Sequence, residues 1–264
     1  MLLLITMIKS KVALIGYGYV GKGMHKIFPD AILYDIDKGS KDEVNQNAEL
    51  AIVCVPTPIA EDGSCDASIV EEAVCWLNTP YILIKSTVSP GTTDKFRKKF
   101  KKRICFSPEY IGEGKYYVPP WKYPDPADPL SHGFFIVGGD KPDAERILQI
   151  FQRRLGPDAI YRITDSTTAE LTKYMENAWG ATKVIFCNEF YDIAEKLGVS
   201  YSELRELWLL DKRVERMHTA VFADSRGFGG KCYPKDVSAI IKTSESVGYE
   251  PRLLKTVVEI NKDY

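Results

Sequence analysis

The chain has 264 residues, of which 45% are hydrophobic and 27% charged, which is the composition of an ordinary globular protein with one large or two modest domains. Its 35 basic and 36 acidic side chains nearly cancel, which excludes an overall field that would favour nucleic acid or a membrane surface. The six cysteines form no CxxC pair and no metal-ligand spacing, and the opening MLLLITM is too short for a signal or a membrane span, so we expect free thiols, no metal and a cytoplasmic location.

The first predicted elements are a strand, a glycine turn, a helix and a second strand. The apolar residues 12–15 lead into GYGYVG, which begins at Gly16 and ends at Gly21, and the second strand ends at Asp35. Glycines at this spacing allow a tight turn and a close approach of pyrophosphate to the helix N-terminus. An acid at Asp35 would accept hydrogen bonds from the ribose hydroxyls and favours NAD over NADP. The alternative is a glycine turn that binds nothing.

Strands and helices then alternate, which predicts a parallel, doubly wound, Rossmann-like sheet. Strands are predicted in ELAIVCVPTP and YILIKSTV, and a helix is predicted from Ser68 with Glu71 completing a capping box. Thr57, Ser86 and Thr87 follow strands, where their hydroxyls would face a cofactor or substrate, unless they only end the strands as turn residues.

The next strand lies in ICFSPEYIGEG, which presents Glu109 and Glu113. Residues 115–133 after it contain five prolines and many aromatic residues without a periodic pattern, and we expect an ordered lid on the substrate side. The strand FFIVGG and a helix over residues 142–155 complete a predicted NAD-binding domain over residues 9–165.

A helical second domain is predicted over residues 166–264 and contains one long helix from about Thr167. The apolar spacing predicts one long helix, with Gly198 ending it and Ser200 and Glu203 capping the next helix. The residues at this spacing are Leu171, Tyr174, Ala178, Ala181, Ile185 and Asn188, with Phe186. Lys173 and Asn177 are four residues apart and share a helix face. They are either anion-facing groups or an exposed lysine with a structural asparagine.

The stretch GFGGKCYPKD places Cys232 between a glycine turn and a Pro-Lys-Asp step. Lys231 and Lys235 make the setting electropositive, which favours a thiolate. Taken alone, the stretch is equally compatible with a surface loop that contains an incidental cysteine.

Several motifs in one order resemble the UDP-glucose/GDP-mannose dehydrogenase family. They are GYGYVG, VPTP, KSTV with PGTT, SPEYIGEG, AELTKYMENA with NE, GFGGKCYPKD and EIN. The resemblance implies that a primary alcohol of a nucleotide sugar is oxidised to a carboxylate by two hydride transfers to NAD. Cys232 would be the nucleophile that forms a thiohemiacetal and then a thioester.

The resemblance also implies a role for each matched position. Lys173 and Asn177 would stabilise oxyanions, Thr87 and Asp236 would hold the water that transfers protons, and Glu109 would lie near the same water. The expected cofactor-binding residues are Gly16, Tyr19, Val20, Gly21, Asp35, Thr57, Ser86, Glu113 and Lys235. The expected substrate-binding residues are Glu109, Lys173, Asn177, Arg216, Phe228 and Gly229.

The chain departs from the family pattern in several places, among them Gly112 and Phe134, where many members have a larger residue and an arginine. It stops at Tyr264, where family members continue into a second nucleotide-binding domain, and the segment between Asp37 and Ala51 is short enough to lack a helix and a strand. Two alternatives therefore stay open, namely a two-electron hydroxyacid-type dehydrogenase and a non-catalytic NAD-binding or assembly protein.

We also expect a homodimer built on the long helix. Its apolar residues exceed what one packed face needs, and Arg216 could then reach the substrate of the neighbouring subunit. The residues counted for this surface are Tyr174, Trp179, Ile185, Phe186 and Phe190.

Overall fold

The computed structural model describes residues 11–112 and 128–264, which form two compact units. Unit 1 consists of residues 11–57, 66–112 and 128–171, and unit 2 of residues 58–65 and 172–264. A lid was predicted over residues 115–133, and its residues 115–127 lie outside the described residues. Glu113 also lies outside them.

Unit 1 is built on a seven-stranded sheet with the order β2-β1-β3-β4-β5-β6-β7. Its strands are β1 (Val12–Ile15), β2 (Ile32–Tyr34), β3 (Leu50–Val53), β4 (Tyr81–Ile84), β5 (Ile104–Phe106), β6 (Phe134–Gly138) and β7 (Ile160–Thr164). Neighbouring strands are parallel except at β5 and β6, which pair antiparallel with Phe106 opposite Gly138. The predicted Rossmann-like sheet is confirmed, and β7 is a strand that the sequence analysis did not predict.

Helices cover both faces of this sheet, because each central strand is apolar on both sides. Val12 and Leu14 of β1 belong to one buried cluster, while Ala13 and Ile15 belong to the other. The first cluster is completed by α1 (Tyr19–Ile27) and α5 (Lys141–Leu155), and the second by α2 (Lys41–Asn47), α3 (Ser68–Trp76) and α4 (Thr92–Phe100).

The chain between β2 and β3 is short, as the sequence indicates. Of the helices and strands in the described residues, only the seven-residue α2 lies between β2 and β3, and β2 is the edge strand beside β1. The capping box predicted at Ser68 is wrong, because the N-cap residue of α3 is Ala67 and the main-chain N–H of Ser68 is bound by Asp66 Oδ1 at 2.8 Å.

The N-terminus of α4 is capped from a distant part of the sequence. Glu170 accepts hydrogen bonds from the main-chain N–H groups of Gly91 (2.5 Å) and Thr93 (2.8 Å) and is completely buried. Burial raises the pKa of this carboxyl to about 7, against the opposing effect of the hydrogen bonds from Thr93 and Gly91. The N-cap residue Gly91 has no side chain that could cap α4, and Glu170 supplies this cap instead.

Unit 2 is helical outside its loops, as predicted. Its main elements are α6 (Ser166–Leu197), whose first residues through Leu171 group with unit 1, α7 (Tyr201–Trp208), α8 (Tyr233–Ser246) and α9 (Arg252–Ile260). Gly198 follows the end of α6 with a φ of +68°, and Ser200 Oγ caps α7 by accepting the N–H of Glu203 at 3.4 Å. Both of these predicted helix ends are confirmed.

The surface expected on α6 needs a correction, because its apolar residues differ in burial. Leu171 is 47% exposed, although it belongs to the apolar spacing that predicts the helix. Tyr174 and Ile185, which were counted as surplus apolar surface, are buried within unit 2. Apart from Leu171, the large apolar residues of α6 that remain exposed are Met175, Trp179, Phe186, Phe190, Ile193 and Leu197, and we call these six the α6 apolar stripe.

Within the described ranges, no helix is both long enough and apolar enough to cross a bilayer. The same ranges contain no group of three His, Cys, Asp or Glu side chains that could hold a metal ion.

Candidate functional site

The glycine turn of unit 1 has the shape that a bound phosphate requires. Gly16 has a φ of +90°, and a Cβ there would lie 2.8 Å from the carbonyl oxygen of Cys54. A Cβ on Gly18, by contrast, would meet no atom within 4 Å, so the turn borders open space at the N-terminus of α1. Gly18 is the N-cap residue of α1, and as a glycine it has no side chain to cap the first main-chain N–H groups of the helix. The main-chain N–H groups of this helix end fit an anion such as the pyrophosphate of a dinucleotide.

Asp35 lies directly after β2 and beside the glycine turn. Its two carboxylate oxygens accept the main-chain N–H groups of Tyr17 (2.6 Å) and Ile36 (2.7 Å). Each oxygen retains a lone pair that a ribose hydroxyl could use. Asp35, the acid predicted from the sequence, therefore lies beside the glycine turn and can still accept hydrogen bonds from a ribose.

The hydroxyl residues at the strand ends differ in their surroundings. Ser86 is buried and donates its hydroxyl to the main-chain oxygen of Val55 at 2.7 Å, so it ties the end of β4 to the segment after β3. Thr57 is also buried, and Thr87 is half-buried directly after Ser86. The Ser86 hydroxyl proton is thus used within the protein, and the cofactor role of Ser86 stays a prediction.

Glu109 is buried next to a lysine that the sequence analysis missed. Its Oε1 accepts the main-chain N–H groups of Tyr110 and Ile111, both at 2.7 Å, while Oε2 lies 3.3 Å from Lys85 Nζ. Lys85 is 4% exposed and donates to the carbonyl oxygen of Pro108 at 2.7 Å. This pair lines a cavity of about 20 Å³ in unit 1. The KSTV motif that contains Lys85 was the available sequence signal, but only its hydroxyl residues were considered.

Two thiols of unit 1 are buried, and their burial favours the protonated form. Burial raises the pKa of Cys105 to about 12, and burial together with the negative charge of Glu109 raises the pKa of Cys54 well above its ordinary value. Thiols that stay protonated at neutral pH are poor nucleophiles. Cys232, in contrast, is exposed.

Unit 2 contains a chain of hydrogen bonds that joins four predicted site residues. Lys173 Nζ donates to Asn177 Oδ1 at 3.1 Å, and Asn177 Nδ2 donates to Asp236 Oδ2. Lys235 Nζ bonds to the other oxygen of Asp236. Asp236 is 2% exposed, and its ion pair with Lys235 and the hydrogen bond from Asn177 offset the cost of burying its charge. The prediction that Lys173 and Asn177 share a helix face is confirmed.

The glycine turn before Cys232 is held by a second missed residue. Asn261 accepts the main-chain N–H of Phe228 at 2.7 Å and donates to its carbonyl oxygen at 3.0 Å. Gly227 has a φ of +66°, and a Cβ there would lie 2.6 Å from Asn261 Oδ1. Asn261 belongs to the EIN motif, whose presence was noted without a role. The turn leads to Cys232, which is the N-cap residue of α8, where the helix N-terminus favours a negatively charged thiolate.

The remaining predicted substrate residues lie in unit 2 as well. Phe228 is buried in the turn, and Gly229 is exposed beside open space. Arg216 forms a bidentate ion pair with Glu206, at 2.9 Å and 2.6 Å. Its guanidinium would have to exchange this partner in order to bind a substrate, so its predicted role stays a prediction.

The chain matches two domain models of one family. Residues 37–119 match the NAD binding domain of the UDP-glucose/GDP-mannose dehydrogenase family, and residues 167–263 match its central domain. The glycine turn and Asp35 precede the first matched range, so their assignment rests on the geometry described above.

Individual relatives agree with this match. A UDP-glucose 6-dehydrogenase from Rickettsia felis is 32% identical over 228 residues, which cover 82% of this chain and 48% of the relative. A UDP-glucose dehydrogenase structure from Pyrobaculum islandicum has a TM-score of 0.81 at 25% identity, covering 96% of this chain and 68% of the other. A 3-hydroxyisobutyrate dehydrogenase structure from Mycobacterium tuberculosis, with a TM-score of 0.68 at 16% identity over 96% and 93% of the two chains, shares the fold.

The chain spans about half the length of the curated relatives it matches. Two domain models of one family match the chain, and one of them is an NAD-binding domain. The matched relatives cover most of the chain and carry names from the same family. The chain belongs to the UDP-glucose/GDP-mannose dehydrogenase family.

Proposed function

We propose that the protein oxidises the primary alcohol of a nucleotide sugar to a carboxylate, with NAD as the hydride acceptor and Cys232 as a covalent nucleophile. The observation that supports this most strongly is in unit 2. An exposed thiol begins α8, and Asp236 on the first turn of that helix is hydrogen-bonded to Asn177, which in turn contacts Lys173. A nucleophile, an amide donor and a cation on adjoining elements are the groups that acyl chemistry needs.

Each group has a distinct task in the proposed reaction. NAD, when bound, accepts one hydride in each of the two oxidation steps. In unit 2, Asp236 holds the water that takes the proton from the alcohol, and Lys173 and Asn177 stabilise the negative charge on the oxygen. The role expected of Thr87, which belongs to unit 1, stays a prediction. The Cys232 thiolate then adds to the aldehyde carbon to form a C–S bond.

The covalent adduct explains why a thiol is present in addition to the lysine. Loss of a second hydride from the thiohemiacetal carbon leaves a thioester on Cys232. Water adds to the thioester carbonyl, the C–S bond breaks, and the carboxylate leaves while the thiol is restored. One alcohol, one water and two NAD⁺ thus give one carboxylate, two NADH and three protons. The role expected of Glu109, whose carboxylate Lys85 holds in place within unit 1, stays a prediction.

A screen of nucleotide sugars for NADH production, with the product quantified by mass spectrometry, tests this function. We expect two NADH per carboxylate in the wild type. Cys232→Ser should bind NAD with unchanged affinity, because the dinucleotide turn lies in unit 1, and should yield no thioester or acid. Cys75→Ser, which removes the exposed thiol on α3, is the matched control and should retain two NADH per product.

Other outcomes of the same assay distinguish the alternatives. A single NADH per oxidised product, insensitive to Cys232→Ser, would favour a two-electron hydroxyacid-type dehydrogenase, whose fold this chain shares. NAD binding without turnover of any nucleotide sugar would favour a non-catalytic role.

We further propose that the protein assembles as a homodimer through the α6 apolar stripe. Trp179 is 57% exposed and Leu197 is 73% exposed, and the adjoining α7 adds Leu207 at 61%. A cavity of about 480 Å³ lies beside the stripe between Trp179, Phe186 and Trp208. An apolar surface of this extent is typical of an interface. A second copy related by a two-fold axis could cover the same stripe on both subunits.

A further inference from the structure

The residue after Cys232 is anchored in the interior of unit 2. Tyr233 is the first residue of α8 and is 9% exposed. Its hydroxyl lies 2.6 Å from His218 Nε2, and its ring makes edge contacts with His218 and Phe228 at centroid distances of 5.5 Å and 6.4 Å. Cys232 is thus exposed while its direct neighbour in the chain is fixed on three sides.

A glycine inside α6 makes room for this anchor. A Cβ on Gly180 would lie 2.8 Å from Tyr233 Cζ and would overlap the phenol oxygen. Glycine within a helix costs about 1 kcal/mol relative to alanine, so a helix of 32 residues gains nothing from it unless a neighbour needs the space. Here the neighbour that occupies the space is the Tyr233 hydroxyl.

The acceptor of the hydrogen bond is held in an unfavourable backbone conformation. His218 has a φ of +60°, in the left-handed region that residues other than glycine rarely adopt. The next residue, Thr219, is completely buried and bonds back to the carbonyl oxygen of Arg216 through its hydroxyl at 2.7 Å. Burial, assisted by the positive charge of Lys183, lowers the pKa of His218 to about 4, so the imidazole is neutral at pH 7 and can accept at Nε2.

We propose that Tyr233 is a positioning residue for Cys232, and that Gly180 and His218 form its socket. This inference rests on the proposed function, in which the Cys232 thiol attacks the aldehyde. The carbonyl oxygen of Cys232 accepts the N–H of Asp236 at 2.9 Å, so the same first turn of α8 holds both the thiol and the buried carboxylate. Fixing Tyr233 therefore fixes the main chain from which the side chains of Cys232 and Asp236 project.

Tyr233→Phe tests the inference, because it removes the hydroxyl and keeps the ring. The rate of Cys232 alkylation by iodoacetamide, followed on the Cys232 peptide by mass spectrometry, should fall about two- to fivefold as the thiol loses its fixed place at the helix N-terminus. The kcat for NADH production should fall about tenfold while the KM for the nucleotide sugar stays within about twofold, since one hydrogen bond is lost. Tyr161→Phe, which removes a hydroxyl bonded to Gly156 in unit 1, is the matched control and should leave both rates unchanged.

His218→Asn gives a second, independent variant. Asparagine tolerates the left-handed conformation, so this change removes the imidazole without adding backbone strain. We expect the Tyr233→Phe/His218→Asn double variant to alkylate no more slowly than either single variant, because both remove the same bond.

The inference is overturned if Tyr233→Phe has the wild-type rate of Cys232 alkylation and the wild-type kcat. It is also overturned if Tyr161→Phe lowers both rates as much, or if the double variant alkylates more slowly than either single variant. Failure of the proposed function has a different signature. If complete alkylation of Cys232 in the wild type leaves NADH production intact, the covalent role fails. The alkylation rates still report whether Tyr233 holds the thiol.

Discussion

The cap that Glu170 provides for α4 predicts a pH dependence of stability with a definite sign. The pKa of Glu170 is raised from 4.5 to about 7 in the folded protein because the carboxyl is buried. The folded state therefore binds this proton more tightly than the unfolded state does. The resulting stabilisation is fully present below pH 4.5 and is lost as the pH rises through 7.

The size of the effect follows from the two pKa values. At 1.36 kcal/mol per pH unit, Glu170 lowers the free energy of unfolding by about 2–3 kcal/mol between pH 5 and pH 8. Glu170→Gln removes the titration but keeps the shape, and its single acceptor oxygen can serve only one of the N–H groups of Gly91 and Thr93. That loss costs about 1–3 kcal/mol at every pH. The variant should therefore be less stable than the wild type at pH 5 and should equal or exceed it at pH 8.

Urea denaturation of both proteins at pH 5, 6, 7 and 8 measures this difference. The gap between variant and wild type should shift by about 2–3 kcal/mol across the series, or by about 5–10 °C in Tm. Glu72→Gln, which alters an exposed glutamate on α3, is the control and should show no such shift. A constant gap between Glu170→Gln and the wild type from pH 5 to pH 8 would refute the reasoning, because it would mean that the two N–H donors keep Glu170 ionised throughout.

Three other predictions concern the cofactor, the buried pair and the assembly. Asp35→Asn should weaken the preference for NAD over NADP by about tenfold or more in a fluorescence titration, since repulsion of a 2′-phosphate by the carboxylate amounts to about 1–4 kcal/mol; an unchanged preference would show that Asp35 does not face the ribose. Lys85→Met should destabilise the protein by about 3–5 kcal/mol in urea denaturation, and adding Glu109→Gln should recover part of that loss; no recovery would mean that the ion pair is not the cause. Phe186→Lys should convert the dimer to a monomer by light scattering, whereas a wild type that is already monomeric at micromolar concentration would exclude the proposed interface.

The sequence was most informative where a local pattern has a single physical meaning. The glycine turn at Gly16, the acid at Asp35 and the shared face of Lys173 and Asn177 follow from spacing alone, and the structure contains all three. The end of α6 at Gly198 is of the same kind, because a left-handed residue after a helix is usually glycine.

Other features depend on partners that are distant in the sequence. Lys85 and Glu109 are 24 positions apart, and Asn261 contacts a turn 33 residues before it, so no local pattern could reveal either contact. The surplus apolar surface on α6 was overestimated at Tyr174 and Ile185, because periodicity gives the direction of a side chain around a helix but not what packs there. The strand β7 was missed because its residues are exposed or half-buried and lack a clear alternation of buried and exposed positions.

The clamp that Asn261 places on Phe228 has a consequence for the order in which the protein matures on the ribosome. A nascent chain that has been synthesised through α8 already contains Cys232 and its glycine turn, but not the side chain that fixes the main chain of that turn. The thiol segment can reach its final geometry only after α9 and Asn261 have left the exit tunnel. The final geometry of the glycine turn is thereby deferred until nearly all of unit 2 has been made, and during that interval the contacts of Tyr233 with His218 and Gly180 hold the segment without the Asn261 clamp.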